Sequence, residues 1–198
     1  DEVTEYLLSC YSGEKNTPEV QRLKGMIREF EEDLVWSHYG VQTKDVSHLR
    51  LGFYQGDIFS EDPERQRDII PILDKFREIE PTIITLALDP EGSGPDTHYK
   101  VLQAIAEAVR MWGKDTDLAK LKIWGYRNVW ARFDPAEANI IVPVSLNSMA
   151  SLRDTFLTCY LSQKNASFPS YELDGPFCDL VQKIWVEQIQ TLQLVLGR

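Results

Sequence analysis

Seven consecutive residues, Thr82-Ile83-Ile84-Thr85-Leu86-Ala87-Leu88, carry no charge, are rich in β-branched side chains and do not alternate apolar with polar. Such a run suits a central strand of a parallel sheet, covered on both faces. Its flanks constrain the chain further. Upstream, Ser60-Glu61-Asp62-Pro63-Glu64 is an acidic start signal for a helix reaching about Ile79, with Pro71 as a candidate kink. Downstream, a loop rich in Gly, Pro and carboxylates (Asp89 to Asp96) feeds a second helix from about Thr97. That helix carries Val101, Leu102, Ile105, Ala108, Val109 and Trp112 on its apolar side. Helix, strand and helix in this order read as part of a right-handed crossover fold.

The same alternation extends along the chain. Val3 to Cys10, His48 to Phe53, Lys120 to Tyr126 and Asn139 to Val144 read as further strands. Thr17-Pro18 is a cap and first-turn pair opening a helix, with Val20, Leu23, Ile27, Phe30, Leu34 and Val35 at helical spacing and Glu29, Glu31, Glu32 and Asp33 on its solvated side. Ser145 caps another helix, and Pro176 to Leu196 forms a long amphipathic one. The expected fold is α/β: one domain over residues 1–198, with a Rossmann-like, mostly parallel sheet and helices on both faces. Length allows this, because 198 residues bury an ordinary core without metal or disulfide staples. The chain opens at Asp1 directly in a strand-like run, so the first strand and helix of the fold are expected upstream, leaving an open sheet edge. An unpaired edge invites association, hence a homo-oligomer or a covering N-terminal segment is expected.

Charge and composition remove several function classes. A formal net charge of −10 repels a phosphate backbone over most of the surface, which excludes nonspecific nucleic-acid binding. No apolar run approaches the roughly 20 residues of a membrane span. Cys10, Cys159 and Cys178 are odd in number and widely spaced, so a disulfide framework is not expected and a reducing, cytoplasmic setting is. The chain has no Gly-x-Gly-x-x-Gly turn. Glu91-Gly92-Ser93-Gly94-Pro95 lacks the Lys-Ser/Thr ending of a phosphate loop, so neither standard nucleotide motif is present.

Ligands of parallel α/β folds bind beyond the carboxyl ends of the strands, and that rule points to the loop after Leu88. His98 stands there, in the first turn of the following helix, with Asp89, Glu91 and Asp96 as nearby carboxylates able to hold a metal or orient an imidazole. Capping by Asp96 or Thr97 is the plain structural alternative. His38, at a helix end, is explained by the helix dipole, and His48 reads as a surface residue. Trp124, Tyr126 and Trp130 cluster about a strand end, where they suit either ordinary packing or stacking on a sugar ring.

The run Asp89-Pro90 through Pro95-Asp96-Thr97-His98-Tyr99-Lys100-Val101 resembles the C-terminal metal-ligand segment of the PIG-L/LmbE-like deacetylases, especially the form fused to a glucosamine-6-phosphate deaminase domain. The similarity continues through Glu78-Ile79-Glu80-Pro81, Gly125-Tyr126-Arg127-Asn128-Val129-Trp130, Ile141-Val142-Pro143-Val144-Ser145 and Leu161-Ser162-Gln163. The resemblance implies a Rossmann-like sheet, a zinc cofactor and hydrolysis of an N-acetyl group on an amino sugar or sugar phosphate. It implies His98 as the metal ligand, Asp96 and Arg127 as catalytic, and Arg127, Trp130, Ser162 and Gln163 as substrate-binding. Zinc would activate water and polarise the amide carbonyl while a carboxylate takes the proton. The family's His-Pro-Asp-Asp segment does not occur in this chain, and Pro95 and Tyr160 stand where the family carries histidines. A non-catalytic sugar-binding or regulatory module of the same fold is therefore the second expectation, and a purely structural or interaction domain the third.

Overall fold

The computed structural model describes residues 2–11, 16–53, 60–92, 95–127, 132–166 and 175–197. Its elements are α1 (Glu2–Ser9), α2 (Pro18–His38), α3 (Ile70–Ile79), β1 (Ile83–Ala87), α4 (Asp96–Trp112), β2 (Lys122–Tyr126), α5 (Leu146–Cys159) and α6 (Phe177–Leu196). A π-helical turn, Arg65–Ile69, leads into α3.

β1 and β2 pair in parallel, with Ile83 opposite Lys122 and Ala87 opposite Tyr126. The α4 crossover between them is the arrangement that the alternating pattern predicts. Ile84 and Leu86 turn one sheet face toward Ile72, Leu73 and Phe76 of α3 and Ala104, Ala108 and Trp112 of α4, which together form the main apolar core. Phe76 and Trp112 meet with ring centroids 5.5 Å apart. Pro71 falls in the first turn of α3, directly after the π-helical turn, so the irregularity expected at this residue lies at the junction of the two.

Gly125 permits a close approach inside this layer. A Cβ there would lie 2.7 Å from Leu88 Cδ2 and 2.8 Å from Leu88 Cβ. Gly125→Ala should therefore overpack the strand end and cost about 1–3 kcal/mol, measurable as a lower urea midpoint at unchanged slope.

Four expectations are corrected. Val3 to Cys10 belongs largely to helix α1, because a short apolar run takes the conformation its contacts allow, and here the turn-by-turn helical bonds prevail. Neither 48–53 nor 139–144 is a strand; Ile140, Ile141 and Val142 are exposed, and among the described residues no ladder partner fixes an extended backbone into a sheet. Among the described residues the sheet has two strands, so β1 is covered on one face only, and Ile83 and Thr85 are exposed on the other. Finally, α2 is rotated from its expected setting. Glu31 is 4% exposed while Phe30 is 62% exposed. A carboxylate that finds fixed donors is more economically buried than one left to shed water without them.

The helix signals hold well. Thr17 caps α2 by accepting from Val20 N, with Pro18 at its first position. Ser145 caps α5 by accepting from Ser148 N at 3.0 Å. Helices α2, α5 and the start of α6 form a second packed group with Val20, Cys159, Cys178, Leu180 and Ile184 buried. No helix of the described residues is long and apolar enough to cross a membrane.

Candidate functional site

Beyond the carboxyl ends of β1 and β2 the chain gathers a guanidinium and two carboxylates. Arg127, the residue after β2, donates from Nη1 to Glu91 Oε2 at 2.9 Å and from Nη2 to Glu91 Oε1 at 3.1 Å. The guanidinium also lies 5.1 Å above the ring centroid of Phe133. Asp89, buried directly after β1, adds a negative field at Arg127 and Glu91. The bond from Arg127 holds the Glu91 carboxyl below its ordinary range.

This pair is asymmetric. The Arg127 side chain is 17% exposed, whereas that of Glu91 is 59% exposed. Arg127 Nε is buried without a hydrogen-bond partner among the described residues. An exposed carboxylate on a loop is readily exchanged for a ligand oxyanion, while the half-buried guanidinium rests on Phe133.

Asp96 is the first residue of α4, and Pro95, not Asp96 or Thr97, occupies the cap. Its carboxylate accepts from Ser60 Oγ at 2.6 Å and pairs with Lys100 Nζ at 2.8 Å. Lys100, chiefly, and then Ser60 lower the Asp96 pKa, which makes this carboxylate a weak base. Lys100 is buried and also reaches Ser60 Oγ and Asp62. Asp62, Asp96, Tyr99, Lys100 and Gln103 line a cavity of about 500 Å³. His98 sits one turn earlier on α4 than Leu102, half-buried, with its backbone N–H bonded to Pro95 O at 2.9 Å.

Ser162 and Gln163 lie in a different cluster. The α5 helix ends at Tyr160, and the following turn presents Ser162 to α2, where its N and Oγ each donate to Glu31 at 2.6 Å. Gln163 Nε2 donates to Ser162 Oγ at 3.0 Å, and Tyr160 OH donates to Glu32. Burial, and secondarily Glu32, raises the Tyr160 pKa, so its phenol stays protonated. Trp130 lies outside the described residues. Trp124 and Tyr126, opposite Thr85 and Ala87, stand half-exposed on the open sheet face.

Among the described residues no three His, Cys, Asp or Glu side chains gather as metal ligands. A zinc ion on His98 would need its other donors from elsewhere. Glu31, Lys100 and Phe133 carry structure around the candidate residues without having been singled out. The Asp96 to Lys100 spacing of four was a usable signal for one of them; an acidic residue within the run Glu29 to Asp33 offered none for Glu31.

The chain is similar to a putative glucosamine-6-phosphate deaminase-like protein of Bacteroides thetaiotaomicron. Identity is 26% over 177 residues, covering 84% of this chain and 25% of that protein. The chain thus spans about a quarter of the length of the curated relative it matches. No family model matches it, and no solved structure does. The amino-sugar side of the resemblance is supported by the relative's name, whereas the deacetylase side finds no family model.

Proposed function

We propose that this chain is an amino-sugar-binding module of PIG-L/LmbE-like type, its parallel strands part of a Rossmann-like sheet, working with a glucosamine-6-phosphate deaminase-like unit. The observation that carries this reading is the Arg127, Glu91 and Asp89 group beyond the carboxyl ends of two parallel strands, where such folds bind ligands. Arg127 takes the phosphate or another oxyanion, and Glu91 and Asp89 attract the ammonium. The relative's name supplies the substrate class. Binding without catalysis fits Asp96, which Lys100 and Ser60 hold in a structural network.

Calorimetric titration with glucosamine 6-phosphate, glucosamine and glucose 6-phosphate tests it. The first should bind most tightly, and Arg127→Ala should weaken it roughly 10- to 100-fold through loss of charge-assisted hydrogen bonds. Absence of binding by all three sugars would overturn the reading.

The second reading is metal-dependent N-deacetylation of an amino sugar, favoured by His98 in the first turn of α4 near the same strand end. Zinc analysis separates the two. Stoichiometric metal lost in His98→Ala supports the deacetylase; a metal-free chain after purification with zinc removes it.

A further inference from the structure

Helix α2 faces the rest of the chain with Glu31, Val35 and Tyr39, and turns a different row of side chains outward. Leu23, Ile27, Phe30 and Leu34 are all exposed, with Met26 beside them. Their spacings of four, three and four are those of a seam between two packed helices. Val20, one turn earlier, is buried, so the exposed stripe runs from Leu23 to Leu34 over the middle of the 21-residue helix. A stripe this long, exposed on a helix already anchored at Glu31, is a surface built for a second helix.

The charges beside it say which helix. Arg22, Lys24 and Arg28 lie in the first part of α2, and Glu29, Glu31, Glu32 and Asp33 follow in the second. Arg22 and Asp33 flank the same side of the stripe at its opposite ends by helical geometry, and Asp33, which one oxygen ties to His48 Nε2 at 3.0 Å, keeps its side chain 34% exposed. An antiparallel copy of α2 reverses this order, so each Arg22 meets the partner's Asp33. The same alignment sets Leu23 of one protomer against the partner's Leu34, and Ile27 against the partner's Phe30. A parallel copy would place cation against cation and anion against anion.

We propose that the chain forms a two-fold homodimer through antiparallel packing of α2 on α2. The interface is isologous, as closed dimers require, because one stripe supplies both sides. It uses none of the residues of the proposed sugar site, so it stands independently of that reading.

Sedimentation equilibrium of the full chain tests this. Wild type should be dimeric at micromolar concentration, and Phe30→Glu should weaken association at least roughly 100-fold, since two aromatic side chains lose their burial. Circular dichroism of that variant should be unchanged, because Phe30 is exposed in the single chain. Arg22→Asp should weaken the dimer about tenfold, with the double change Arg22→Asp and Asp33→Arg restoring it. In a Cys10→Ser background, Leu23→Cys should cross-link only when mixed with Leu34→Cys. A monomeric wild type, a dimer indifferent to Phe30→Glu, or cross-linking of Leu23→Cys to itself would each overturn the proposal.

Discussion

Asp68→Ala should destabilise the fold by about 3–5 kcal/mol, the range for removing one partner of a buried charged network. Asp68 is 0% exposed, in the π-helical turn before α3. Its carboxylate accepts from Gly52 N at 2.6 Å and from Glu64 N at 2.8 Å. Arg67 donates to it from Nε at 3.0 Å and from Nη2 at 2.9 Å. The four donors fasten the backbone at Gly52 to the π-helical turn that leads into α3. With the carboxylate gone, two backbone N–H groups lose their acceptor at once and the guanidinium is left with Glu61 and the Asp62 carbonyl, so the desolvation already incurred is no longer offset. Asp68→Asn should cost nearly as much, since an amide NH₂ would confront donors. Chemical denaturation of the three proteins measures the difference.

The same group predicts an acid limb. Burial pushes the Asp68 pKa up, but Arg67 and the backbone N–H groups of Glu64 and Gly52 outweigh it and hold the folded value below the ordinary 3.8. The unfolded chain therefore binds the proton first as pH falls. Stability from this group is complete above the ordinary carboxylate range and is lost as pH drops through the depressed folded value. Wild type should steepen its loss of stability there, and Asp68→Asn should show a shallower slope.

Trp112→Ala should cost about 3–5 kcal/mol, with a fall in Tm on the order of 10 °C for a chain of this size. Trp112 is buried at the end of α4 and packs against Phe76 of α3 beside Ala108 and the inner face of β1. It closes the single apolar layer between two helices and a sheet covered on one side. Trp112→Phe should recover much of the loss, because the tilted contact with Phe76 needs an aromatic face more than the indole N–H. Thermal melts of the two variants decide between a packing role and a polar one.

Local signals of the chain were legible wherever a few neighbouring residues settle the backbone. Thr17-Pro18 and Ser145 start helices because the cap oxygen and the first N–H groups lie within three residues of each other. The β-branched run from Thr82 makes β1, and the helical spacing from Val101 to Trp112 makes α4. The strand-end rule points to the loop that holds Asp89 and Glu91, and the resemblance implies Arg127.

Tertiary contacts decided what pattern alone left degenerate. Val3 to Cys10 and Asn139 to Val144 carry apolar residues that suit a strand only if another strand offers its hydrogen bonds. Among the described residues no partner does so, and one run becomes helix while the other stays irregular. The rotation of α2 is the sharper case. Hydrophobic spacing sends Phe30 inward and Glu31 outward, and the chain does the reverse because Ser162, 131 residues further on, supplies two donors to Glu31. A periodic pattern determines that a helix exists and how its residues divide into faces. Which face turns inward depends on partners far along the chain, and those are set only when the backbone has folded around them.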